Sequence, residues 1–136
     1  MKTLVVYYSK TGTTQKVAES IVKLMECDVD ALQFDEKTKE VTSTKNPSDY
    51  ERIILLSPVW AFSIAEPMKK YIAQNKAGIK HYSLVVTCGK WGLRGSVGYC
   101  RATLAKPPEH ALIFKAKDVK AGNFDISPLV NWGWPV

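Results

Sequence analysis

The sequence is poor in long apolar runs, in cysteine and in histidine. No segment approaches the roughly 20 apolar residues that cross a bilayer. The apolar N-terminus has no cleavage-site pattern, so it predicts a first strand and not a signal peptide. The three cysteines, Cys27, Cys88 and Cys100, are odd in number and have no paired spacing, which argues against a disulfide framework or a zinc site. We therefore expect a soluble, cytoplasmic protein without a membrane partner.

Two common phosphate-binding motifs are also missing. Neither Gly-x4-Gly-Lys-Ser/Thr nor Gly-x-Gly-x-x-Gly occurs, which argues against a nucleoside triphosphatase and against a dinucleotide-binding fold. The formal net charge is +6, but the lysines are spread along the chain without the density or the aromatic interleaving of nucleic-acid binders. We expect no nucleic-acid partner and take the charge as information about the sign of a partner's charge.

The chain has 136 residues, 46% of them hydrophobic, which fits one domain over residues 1–136. Apolar, β-prone runs alternate with helix-period segments. Residues 35–49 are polar and predict a weak helix or a loop. This order predicts a doubly wound parallel sheet with helices on both faces and a ligand at the carboxyl ends of the strands. Strands are predicted at residues 3–8, 28–34, 52–58, 83–87 and 111–114, and helices at 14–25, from Pro67 through Ile72, and at 97–104.

The tail predicts a truncated C-terminal helix. Residues 123–136 offer about two helical turns before glycine and proline stop them. One face of the sheet is then incompletely covered, and such apolar patches mark interfaces. Trp132 and Trp134 can fill the gap within the chain or in a second subunit, that is, in a homodimer.

The loop after the first predicted strand has the composition of a phosphate site. It carries hydroxyl groups at Ser9, Thr11, Thr13 and Thr14, and Gly12 allows a tight turn close to an anion. The helix that follows offers free N–H groups and the positive end of its dipole. The alternative is an ordinary capped helix after a turn.

Two segments carry a resemblance to a known family. Residues 7–18, YYSKTGTTQKVA, resemble the phosphate loop of flavodoxins, Ser/Thr-x-Thr-Gly-x-Thr followed by an apolar helix. Residues 53–62, IILLSPVWAF, resemble the flavodoxin segment that leaves the third strand and passes along the isoalloxazine ring. The resemblance implies a flavodoxin-like five-stranded parallel sheet of order 2-1-3-4-5, in three α/β/α layers, and FMN as cofactor.

The resemblance also implies roles for particular residues. Trp60 would stack on one face of the flavin, although an aromatic at this position can also be a core or partner-facing residue. The implied FMN-binding residues are Ser9, Lys10, Thr11, Gly12, Thr13, Thr14, Pro58, Val59, Trp60, Ala61, Phe62, Cys88, Gly89, Lys90 and Trp91.

The third loop departs from the family. Many flavodoxins have acidic residues and a tyrosine there, whereas this chain has Lys90, Trp91 and Arg94. Trp91 could take the place of the tyrosine. If Lys90 or Arg94 faces the ring, we expect the reduced flavin anion to be stabilised and the potential to be less negative than that of an acidic flavodoxin.

The sequence thus predicts an FMN-binding electron carrier that works with a reductase and an acceptor and uses no catalytic side chain. One alternative on the same fold is an FMN-dependent NAD(P)H:quinone or flavin oxidoreductase, for which the chain is short. Cys88 and Arg94 have the Cys-x5-Arg spacing of tyrosine phosphatases. A flavin-free interaction domain is the remaining alternative.

Overall fold

The computed structural model describes residues 2–89 and 92–130. Lys90 and Trp91 of the predicted site, and Trp132 and Trp134 of the tail, lie outside the described residues. The strands are β1 (Thr3–Tyr7), β2 (Asp28–Ala31), β3 (Gln33–Asp35), β4 (Glu40–Thr42), β5 (Arg52–Trp60), β6 (Ser63–Ile64), β7 (His81–Cys88) and β8 (Ala111–Lys115). The helices are α1 (Thr13–Met25), α2 (Glu66–Asn75), α3 (Leu93–Leu104), α4 (Ala116–Ala121) and α5 (Ser127–Val130), with short 3-10 helices at Pro47–Asp49 and Lys76–Gly78.

Five parallel strands form the central sheet in the order β2-β1-β5-β7-β8. Counted among the parallel strands alone, β5, β7 and β8 are the third, fourth and fifth, so the predicted order 2-1-3-4-5 is confirmed. From β1 the chain moves to β2 on one side, and β5 then pairs with β1 on the other side. The order therefore reverses between β1 and β5, and a ligand crevice is expected at their carboxyl ends.

Helices cover both faces of the sheet, which gives the expected three layers. Leu4 and Val6 of β1 point to one face, where they join a cluster with Met68 of α2 and Cys100 of α3. Val5 points to the other face and packs in a cluster containing residues of α1, α4 and α5. The central strands are mostly apolar because their side chains alternate between two buried faces.

Two regions of the prediction were wrong. The helix predicted at residues 97–104 already begins at Leu93. The strand predicted at residues 28–34 divides at Leu32, and its second part pairs antiparallel with β4 as a separate hairpin, in the register Phe34↔Val41. The hairpin turns because the Asp35 carboxylate accepts hydrogen bonds from the backbone N–H groups of Lys37 and Thr38. Residues 35–49, predicted to be a weak helix or a loop, therefore contain the end of β3, β4 and a 3-10 helix.

The described part of the tail contains two short helices in place of one long closing helix. Val119 of α4 and Leu129 of α5 are fully buried against the sheet. On the edge strand, Leu112 and Phe114 remain half-buried. Whether Trp132 and Trp134 complete this face stays a prediction. No described helix is long and apolar enough to span a membrane.

Tyr50 makes the fold sensitive to alkaline pH. Its ring is buried, and its hydroxyl donates to the Asp28 carboxylate at 2.8 Å. Burial, followed by the effect of Asp28, raises the pKa of Tyr50 from 10.0 to about 12. An unfolded chain loses this proton at lower pH than the folded one, so the folded state binds more protons in that interval. We expect the free energy of unfolding to fall as pH rises from 10.0 towards 12.

Urea unfolding across that pH interval measures the effect. Tyr50→Phe should reduce the slope of stability against pH, leaving the part due to other buried tyrosines such as Tyr82, whose pKa is also raised by burial. Identical slopes for the variant and the natural chain would assign the alkaline loss to other groups.

Candidate functional site

The loop between β1 and α1 presents a helix N-terminus without a side-chain cap. Gly12 stands at the N-cap with φ 93° and ψ −9°, a left-handed conformation that favours glycine. Its N–H donates to the Ser9 hydroxyl at 3.1 Å, while the Thr11 and Thr13 hydroxyls lie 3.4 Å apart. The first N–H groups of a helix need an acceptor from outside it. The end of α1 is therefore suited to an anion, and the alternative of an ordinary capped helix loses support.

A buried pair of hydroxyl groups lies beside this helix end. Thr14, in the first turn of α1, and Thr87, near the end of β7, are almost fully buried, and their Oγ1 atoms are 2.8 Å apart. Sequence reasoning missed Thr87. The one indication of Thr87 in the sequence is that it is a polar residue at the carboxyl end of an apolar strand. This hydrogen bond connects the first turn of α1 to β7, which lies two positions from β1 in the sheet.

Replacing Thr87 by valine tests the strength of this connection. The valine leaves the Thr14 hydroxyl buried without this partner, so we expect a loss of about 1–3 kcal/mol in the free energy of unfolding. Thr87→Ser keeps a hydroxyl and should lose less. Urea unfolding of both variants measures the difference, and equal losses would mean that the methyl group of Thr87 matters more than its hydroxyl.

The end of β5 turns back into β6 through a tight hairpin. Trp60 pairs with Ser63, so the turn consists of Ala61 and Phe62, with φ 53° and 66°. Two positive φ angles are typical of a type I′ hairpin turn, which favours Asn and Gly. In this conformation non-glycine residues carry strain of about 1–2 kcal/mol each.

Neighbouring groups hold the hairpin in place. Ser57 Oγ accepts from the N–H of Ala65 at 2.9 Å and donates to the carbonyl of Pro58 at 2.8 Å. On the other side, Gly95 of α3 approaches so closely that a Cβ built there would overlap the carbonyl oxygen of Phe62. The hairpin is thus held at its base by Ser57 and packed against α3 on one side, and Phe62 is 66% exposed at its tip.

Trp60 stands at the centre of an aromatic and charged group. Tyr8 packs edge-on against it, with ring centroids 5.7 Å apart and an interplanar angle of 88°. The Lys10 Nζ lies 5.6 Å from the centroid of its ring and 3.4 Å from Oε1 of Glu36 in the β3–β4 turn. These contacts fix the indole beside the first loop.

The ends of β1, β5 and β7 enclose a pocket of about 200 Å³. Thr87 and Ala116 line it without having been indicated by the sequence. Of the predicted residues, Ser9, Gly12, Ala61 and Gly89 do not line the pocket but are next to lining residues in the chain, and Phe62, also outside the lining, is two residues from Trp60. The lining residues are Lys10, Thr11, Thr13, Thr14, Pro58, Val59, Trp60, Thr87, Cys88 and Ala116. A larger open groove between β4 and α2, about 560 Å³, has no aromatic lining and no helix N-terminus.

The family model for the flavodoxin domain matches residues 4–130. The chain belongs to the flavodoxin-domain family. A flavoprotein from Lactobacillus acidophilus, solved in complex with FMN, superposes on this flavodoxin domain with a TM-score of 0.79 and 20% identity, over 98% of this chain and 99% of that one.

Two solved flavodoxins are also similar to this flavodoxin domain. One comes from the domain Archaea, with a TM-score of 0.58 and 20% identity over 96% of this chain and 99% of that one. The other, from Fusobacterium nucleatum and bound to flavin mononucleotide, has a TM-score of 0.53 and 20% identity over 84% and 70% of the two chains. No curated protein matches the chain. At these identities the structural likeness shows the fold.

Cys88 of this flavodoxin domain lies in the pocket wall as a buried thiol. Its side chain is 7% exposed, and burial raises its pKa, although Lys115 lowers it in part. A phosphatase nucleophile needs the thiolate, which requires the opposite shift. Within residues 2–89 and 92–130, no group of three or more His, Cys, Asp and Glu side chains could hold a metal ion.

Proposed function

We propose that this chain binds FMN and carries electrons between a reductase and an acceptor. The observation that carries the proposal is the uncapped N-terminus of α1, ringed by threonine hydroxyls and placed beside Trp60. A flavin mononucleotide has one phosphate and one large aromatic ring, and these two features of the pocket match its two ends.

The donor set fits a phosphate bound without metal. Thr11, Thr13 and the N–H groups of the first turn of α1 can donate to phosphate oxygens, and the helix dipole favours the negative charge. Gly12 keeps the approach open, because within the described part of the chain no atom beyond its immediate neighbours lies within 4 Å of the position that a Cβ would take there. The structure of the Lactobacillus flavoprotein contains FMN, and the two chains match over nearly their whole length.

The remaining residues would position and shield the ring. Pro58, Val59 and Trp60 line the pocket with apolar surface. When bound, FMN supplies the electron-transfer chemistry, while the protein determines its affinity, orientation and potential. The pocket of about 200 Å³ is smaller than a whole FMN molecule, so part of the cofactor would stay outside it, accessible to a redox partner.

The described pocket lining favours a carrier over an oxidoreductase. An enzyme of that class needs side chains that position a nicotinamide or a quinone and exchange protons with it. Among the described side chains that line the pocket, only Lys10 and Cys88 carry ionisable groups.

The proposal is tested by the colour and the reactivity of the purified protein. We expect a yellow protein that releases FMN on denaturation, or an apoprotein that quenches FMN fluorescence with a stoichiometry of one. Mixed with NADPH and a quinone, it should show no steady turnover. Sustained turnover would establish the oxidoreductase, and failure to bind FMN would leave a flavin-free interaction domain. Hydrolysis of p-nitrophenyl phosphate would support the phosphatase alternative.

A further inference from the structure

Phe62 is the most exposed large hydrophobic residue among those described, at 66%. The two other exposed large hydrophobic residues among those described, Leu24 and Val29, lie on α1 and β2, away from the β5–β6 hairpin. Phe62 is also held at φ 66°, which costs free energy for a side chain of this size. Strained backbone that persists in a folded protein is concentrated at functional positions, so an exposed aromatic in this conformation indicates a contact surface.

The backbone beneath Phe62 packs against the start of α3. The carbonyl of Phe62 lies against Gly95 at the start of α3, and the Ser63 hydroxyl donates to the Gly95 carbonyl at 3.4 Å. An anchor residue that is ordered before binding loses less entropy when a partner docks. Phe62 is also two residues from Trp60, which lines the proposed flavin pocket. A partner seated on Phe62 is therefore close to the cofactor.

Arg94 places a positive charge beside this anchor. Arg94 is exposed and adjoins Gly95, and no acidic side chain pairs with it among the residues that the structure describes. Lys10 lies over the ring of Trp60 and is paired with Glu36 at 3.4 Å, while Glu66 at the start of α2 is paired with Lys70 at 3.8 Å. The whole chain has a formal net charge of +6, and a bound phosphate would remove only about two of these charges.

We infer that the surface formed by Phe62, Ser63, Arg94 and Gly95 docks an acidic redox protein. This inference rests on the proposed carrier function. The aromatic ring supplies the buried anchor, since aromatic and arginine residues contribute most at interface centres. The positive charges steer a negatively charged partner to the exposed part of the flavin.

Electron transfer to two cytochromes of opposite charge tests the sign of the partner. The holoprotein, reduced with dithionite, is mixed anaerobically with cytochrome b5, which is acidic, and with mitochondrial cytochrome c, which is basic. We expect the second-order rate constant for cytochrome b5 to fall about tenfold from low to high ionic strength. The rate constant for cytochrome c should stay constant or rise. The opposite pattern would overturn the inference.

Matched variants locate the surface. Phe62→Ser and Arg94→Glu should each lower the low-salt rate constant for cytochrome b5 by about fivefold or more. Their controls, Leu24→Ser and Lys23→Glu, change a similarly exposed apolar residue and an equal charge on α1, and should have no effect. If the controls lose as much rate as the test variants, the surface is elsewhere.

A binding measurement separates failure of this inference from failure of the carrier function. In an ¹⁵N NMR titration with oxidised cytochrome b5, shifts should cluster at residues 61–63 and 93–95, in the apoprotein and the holoprotein alike. A protein that binds no FMN but shows these shifts contradicts only the carrier function. A protein that binds FMN but shows no shifts there contradicts only the docking surface, as does self-association that shifts these residues without cytochrome.

Discussion

Gly95→Ala is expected to lower the free energy of unfolding by about 1–3 kcal/mol, because overpacking displaces a backbone. A Cβ at this position overlaps the carbonyl oxygen of Phe62, and that atom belongs to a hairpin held by its own strained turn. The hairpin or the start of α3 has to move. Since Trp60 precedes the same turn, the variant should also bind FMN less tightly.

Gly98 on the same helix provides the control. A Cβ there meets no atom within 4 Å, so Gly98→Ala should stabilise the protein by about 0.5–1 kcal/mol through helix propensity alone. Urea unfolding of the two apoproteins gives both numbers. Effects of the same sign and size would show that α3 does not press on the hairpin in solution.

Trp60→Ala is expected to weaken FMN binding by about 1–3 kcal/mol, or roughly 5–150-fold in Kd, the range found when an aromatic platform under a planar base is truncated. Trp60→Phe retains a smaller platform and should lose less. Fluorescence titration of the apoproteins with FMN measures each Kd. The same titration with riboflavin, which lacks the phosphate, should show the loss for Trp60→Ala as well, because the indole would act on the ring.

Two results would assign Trp60 to another role. An unchanged Kd would make it a core or partner-facing residue, as the sequence alone allowed. A Kd that rises only in proportion to a loss of apoprotein stability would point to its packing against Tyr8. Thr13→Ala offers a contrast. If Thr13 binds the phosphate, this variant should raise the Kd for FMN and leave the Kd for riboflavin unchanged.

The sheet could be predicted from the sequence because its signals are local. Continuous apolar runs such as Ile53–Leu56 indicate strands buried on both faces, and the helices between them determine parallel pairing. The loop from Ser9 to Thr14 was recognisable for the same reason, since a strand, a hydroxyl-rich turn and an amphipathic helix follow one another directly.

The features that escaped prediction depend on contacts distant in sequence or on weak local preferences. Thr87 gains its role only because the fold brings it to Thr14, 73 residues away. Neither Ala61 nor Phe62 favours positive φ, so the hairpin that they form depends on packing against α3. The β3–β4 hairpin rests on one carboxylate turn and one apolar pair, too little to stand out among polar residues.

That small hairpin has a practical use in protein engineering. The β3–β4 hairpin follows β2 and ends before β5, so its length can change without shifting the register of the central sheet. Its turn is exposed, and the Glu36 side chain there touches Lys10 beside Trp60. The side chains of Lys37 and Thr38 are exposed, while the bonds that form the turn use their backbone N–H groups. A fluorophore attached to the side chain at position 37 or 38 would therefore leave the turn intact and lie outside the core, yet within electrostatic reach of the pocket, as a built-in reporter of its occupancy.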